Sequence, residues 1–145
     1  MKAIILIFII SISFIFCSAQ NVIDCSDMSI LKSTSMTRGD IEKLIVQKND
    51  SSLYLYGNIR KDYRTFGYEK PNVNSKKLIL FSVFTNYVKN NPFGCSLGSY
   101  YQTSDMHIEL KFISIVGTFM KTIAIKDGLQ IATVYFLKKC VEFER

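Results

Sequence analysis

The chain has 145 residues, with 18 Lys+Arg against 12 Asp+Glu, 48% apolar residues, 13% aromatics, seven glycines and two prolines. Such a composition is far from the polar, aromatic-poor kind that keeps chains disordered, and the length excludes a doubly wound nucleotide-binding fold joined to a second substrate domain. The positive balance is modest and no nucleic-acid motif accompanies it, so nucleic acid is not an expected partner.

Lys2 supplies one charge ahead of an apolar run from Ala3 to Phe16, broken only by Ser11 and Ser13, and Cys17-Ser18-Ala19 follows. A basic start, a short apolar stretch and small residues at its end predict a secretory signal over 1–19, cut before Gln20. The run is short of the about 20 residues that a spanning helix needs. A lipid anchor on Cys17 is the alternative, against which Phe16 occupies the place where a small residue is wanted. Residues 20–145 are then a single small β-rich domain, secreted or periplasmic. Their longest apolar run, Leu78 to Phe81, predicts no transmembrane span after signal removal.

Residues 20–36 read as a lead-in with at most one short strand. Thr37 as a cap, Asp40 in a first turn, and Ile41, Leu44 and Ile45 at helical spacing predict one short helix over about 37–48. So short a helix needs something to dock on. Leu53, Leu55 and Ile59 alternate with Tyr54 and Tyr56 as a strand would, and Lys77–Val88 carries apolar residues on both faces, which predicts a central strand covered on both sides. The clearest pattern is a three-strand meander, His107 to Val116, Thr118 to Ile125 and Leu129 to Leu137, with Asp127-Gly128 as a tight turn. Val141–Glu144 adds a short final strand. The predicted class is mainly β, or α+β with the helix counted: an antiparallel meander forming a curved sheet or small barrel.

Three cysteines follow the leader, and export permits a disulfide. Cys25 and Cys95 stand in polar, turn-like surroundings and are the expected pair; Cys140, ahead of a strand, reads as a buried thiol. His107 is the sole histidine and no C-x-x-C occurs, so neither a metal site nor a cofactor is expected. Asn49-Asp50-Ser51 fits an N-glycosylation acceptor, which matters in a eukaryotic host.

The segments 60–76 and 89–106 read as irregular loops. The first sets Arg60, Lys61 and Arg64 among Tyr63, Phe66 and Tyr68, and the second carries Tyr100 and Tyr101. Cations beside exposed rings suit anionic polymers, lipid headgroups or acidic protein patches. Those eight residues are the candidate contacts of an exported, non-enzymatic binding module whose partner is a protein, glycan or lipid outside the cytoplasm. Two other readings use the same chain: a small barrel-like carrier of an apolar ligand, and a thiol-dependent hydrolase built on Cys95 and His107.

Overall fold

The computed structural model describes residues 23–24, 43–55 and 63–144. In chain order the strands are β1 (Ile23–Asp24), β2 (Leu44–Val46), β3 (Leu53–Tyr54), β4 (Tyr63–Tyr68), β5 (Lys77–Ser82), β6 (Ser99–Tyr100), β7 (Glu109–Val116), β8 (Phe119–Lys126), β9 (Leu129–Leu137) and β10 (Val141–Phe143); one α-helix, α1 (Thr85–Asn90), follows β5. The protein is mainly β, as its sequence predicts.

The meander forms as read. β7, β8 and β9 pair antiparallel, and the β8–β9 turn places Asp127 and Gly128 at φ 51° and 77°, a left-handed pair that Gly adopts freely. The large sheet runs β6-β5-β4-β9-β8-β7, with β1 alongside β4; β2 lies between β10 and β3 in a separate three-stranded sheet. The large sheet does not close into a barrel, because β6 and β7 stand at opposite ends of its path. A bridge from Ser52 to Lys111, with Phe112 N–H donating to the Ser51 carbonyl at 2.8 Å, joins the β2–β3 hairpin to β7.

Both faces of the large sheet are covered. On one, Leu44, Val46, Leu53 and Val141 from the small sheet, with Leu55 just after β3, pack on Ile79, Phe81, Leu110, Met120, Val134 and Phe136. On the other, Phe66, Tyr68, Leu80 and Phe119 gather with Cys95 under Tyr87 and Phe93. Successive residues of β5 and β8, such as Ile79 and Leu80 or Phe119 and Met120, therefore serve opposite cores, as a strand pleat requires.

Three expectations change. The helix placed over about 37–48 is not found from Leu44 on: Leu44 and Val46 are buried and Ile45 is exposed, a two-residue period that pairing with β3 and β10 imposes. Residues 37–42 lie outside the described residues. The strand expected over Lys77–Val88 stops at Ser82, whose hydroxyl accepts the Phe84 N–H at 3.2 Å as the chain turns into α1. The segment 60–76 is not a loop throughout: its part Tyr63–Tyr68 is an inner strand, flanked by β5 and β9. Gly67 makes that position possible, because a Cβ there would stand under 3.0 Å from Val134, Ile79 and Phe136.

Candidate binding surface

Arg64 and Phe66 fall on the same side of β4, and Lys77 opens β5 opposite Tyr68, past a bulge at Gly67/Tyr68. Each cation thus leans on the ring core that its strand helps to build. Phe93 arrives from the segment after α1. That segment is held by Asn91, a left-handed residue at φ 42° that ends the helix. Its side chain accepts the Cys95 N–H at 3.0 Å, donates to the Cys95 carbonyl at 2.9 Å and accepts the Ser99 hydroxyl at 3.0 Å.

These parts meet in one cluster. The Lys77 ammonium lies 4.4 Å from the Phe66 ring centre and 5.0 Å from that of Phe93; the Arg64 guanidinium lies 5.4 and 5.5 Å from the same two. Each contact is within the range at which a ring face attracts a cation, an interaction of about 0.5–2 kcal/mol depending on desolvation. Phe66 and Phe93 meet edge to face at 5.1 Å, and the row continues outward through Tyr87 at 5.2 Å to Phe84 at 5.1 Å. Phe84, Tyr87 and Phe93 are half-buried, whereas Phe66 is buried. Among the described residues the Lys77 side chain has no ion pair or hydrogen bond, and it is half-buried against the two rings.

Of the eight candidate contacts, Arg64 and Phe66 join this cluster, and Phe66 and Tyr68 serve as core beneath it. Tyr68 extends the row inward, 6.3 Å from Phe66 and 6.2 Å from Phe119. Tyr63 pairs through its backbone with β1. Arg60 and Lys61 lie outside the described residues. Tyr100 is elsewhere: its hydroxyl donates to the Leu97 carbonyl at 2.8 Å and its ring packs near Phe81, while burial pushes its phenol up. Tyr101 is exposed. Sequence reasoning missed Lys77, Phe84 and Tyr87; a lysine opening an otherwise apolar strand, and aromatic residues three apart after it, were the available signals.

The expected Cys25–Cys95 bond is not formed. Cys95 is a free thiol, buried with Phe66, Tyr68 and Leu80, because its polar, turn-like segment folds inward onto the second core. Cys25 lies outside the described residues. Cys140, expected as a buried thiol, is buried but disulfide-bonded.

His107 is exposed and lines a different feature, an open cleft of about 520 Å³ bordered by Tyr54, Ser104, Ile108 and Asp127. Cys95 belongs to the opposite core, so the two residues of the thiol reading are not brought together. Among the described residues no group of three or more His, Cys, Asp or Glu is placed to hold a metal ion, and no helix is long and apolar enough to cross a membrane. Comparison with known protein families, with curated proteins and with solved structures finds no match.

Proposed function

We propose that the protein is an exported, non-enzymatic binding module whose contact surface is the cluster of Arg64, Lys77 and Phe93 with Tyr87 and Phe84 beside it, and whose partner is anionic. The observation that carries this reading is that two cations converge on the same two rings, and that Lys77 pairs with no carboxylate among the described residues. Like charges held close repel, and an anionic group between or above them removes that cost. The half-buried rings alongside offer an apolar platform for the rest of the partner. Burial of the Cys95 thiol and its separation from His107 favour this reading over thiol chemistry. The open sheet and the well-filled cores on both its faces favour it over an enclosed apolar carrier.

Binding of the purified protein to a sulfated polysaccharide, to anionic lipid vesicles and to an acidic peptide, each titrated at rising salt, tests the proposal. Saturable binding that weakens with salt is expected for one of the three. Lys77→Glu or Arg64→Glu should weaken it at least about fivefold, taking about 1 kcal/mol per cation at an anionic surface. Absence of salt-dependent binding to all three, or binding that ignores both reversals, overturns it.

A further inference from the structure

We propose that Asn49 carries an N-linked glycan when the chain passes through a eukaryotic secretory pathway, and that this glycan shields the open edge of β7. The site rests on the reading of residues 1–19 as an export signal. Asn49-Asp50-Ser51 is the only Asn-x-Ser/Thr triplet in the sequence, with Asp and not Pro in the middle. The fold puts it at the tip of the β2–β3 hairpin, where Gln47 N–H donates to the Ser52 carbonyl at 2.9 Å and Ser51 N–H to the Gln47 carbonyl at 3.1 Å. Asn49 is exposed and its carboxamide has no hydrogen-bond partner among the described residues, whereas Asp50 is tied to the Ser52 N–H at 2.9 Å. The acceptor amide is thus free on a turn whose shape is set by its neighbours.

What lies beside that turn gives the glycan a task. Ser51 accepts the Phe112 N–H, so Asn49 is two residues from a bond to β7, and chain geometry puts its backbone within roughly 16 Å of Ile113. Beyond Phe112 the outer edge of β7 pairs with no strand among the described residues, and Ile113, Ile115 and Val116 are 48%, 40% and 39% exposed. An open apolar edge is a template for pairing with another chain, and proteins guard such edges. A bulge at Ile113 is one guard here; a hydrated glycan on the adjoining hairpin is a second.

The transfer is balanced with a polyprenyl-pyrophosphate-linked oligosaccharide as donor. The Asn49 amide nitrogen bonds to C1 of the first sugar, the bond from C1 to the pyrophosphate oxygen breaks, and the amide proton passes to a base of the transferase while the pyrophosphate leaves as an anion.

The full chain is to be expressed in eukaryotic cells, both as it is and behind an established secretory leader, and intact mass read before and after peptide N-glycosidase. The expected result is a heterogeneous mass excess removed by the enzyme, absent in Asn49→Gln and Ser51→Ala and retained in Ser51→Thr. Secreted chain with no removable mass overturns the site. Chain retained with its own N-terminus yet glycosylated behind the added leader supports the site and overturns the export reading. Sedimentation velocity then tests the shielding: deglycosylated protein and Asn49→Gln should self-associate as concentration rises, and Ile113→Lys in the Asn49→Gln background should restore the monomer. Deglycosylated protein that stays monomeric throughout overturns the shielding.

Discussion

Cys95 is 3% exposed among aromatic rings, and desolvation pushes its thiol from 9.0 up to about 11, with the nearby Lys77 charge pulling the other way. At neutral pH the group is therefore a thiol and not a thiolate, so alkylation of the native protein should be slow and should become fast only on unfolding. The same shift links stability to pH. Below pH 9 both folded and unfolded chains keep the proton and the full contribution is present. Between about 9 and 11 the unfolded chain has lost it while the folded chain retains it, so rising pH favours unfolding. Urea unfolding at several pH values should show stability declining across that window, with a shallower decline in Cys95→Ala; equal slopes in the two proteins would refute the assignment. Tyr100, its phenol also raised by burial, adds decline in the same direction that the substitution leaves in place.

The element that presents Phe93 depends on Asn91 more than on the helix before it. α1 is six residues long and has no side-chain cap at its start, too short to persist by itself. Asn91 contributes twice, by accepting a left-handed backbone and by three side-chain hydrogen bonds across 91–99. Asn91→Gly keeps the backbone and loses the bonds, at about 1 kcal/mol each, for a loss of about 3 kcal/mol in urea unfolding. Asn91→Ala should lose about 1 kcal/mol more, because a Cβ is disfavoured in the left-handed region. Two variants of equal stability would mean that the backbone conformation carries no share. Elements were legible in the sequence wherever a single period governed them. The meander strands alternate between core and solvent near Glu109–Phe112 and are joined by a turn dipeptide of restricted conformation. β4 was hidden because Arg64, Gly67 and the tyrosines look like loop chemistry one residue at a time. Its two neighbouring strands explain the glycine at 67, and Phe93 from the segment after α1 joins Phe66 of β4 in giving the Arg64 guanidinium its two rings. The helix expected at 37–48 failed at Leu44–Val46 for a related reason: three apolar residues in a row fit either period, and β3 and β10 decided which face is buried.

For the molecule as a whole, the disulfide at Cys140 is a covalent constraint on the fold. It stands at the junction of β9 and β10, at the end of the meander. Non-reducing peptide mapping should find Cys140 in a cross-linked peptide and Cys95 alkylated only after unfolding. Reduction should cost about 2–5 kcal/mol, read as a lower urea midpoint. A Cys95-containing cross-linked peptide would reverse the assignment. The sequence by itself determined what depends on composition and short-range period: a chain apolar enough to pack, a mainly β fold, the meander and its Asp127-Gly128 turn, and the stretch of cations and rings on which a binding surface could be built. The tertiary structure decided the rest, namely that β4 is internal, that Cys95 is buried and unbonded, and that Lys77 and Phe93 meet Arg64 and Phe66. Those facts join residues far apart in the chain, Arg64 with Phe93 across 29 positions and Gly67 with Phe136 across 69, and no local pattern encodes which of many apolar strands will lie beside which; burial on both faces of one sheet selects them together.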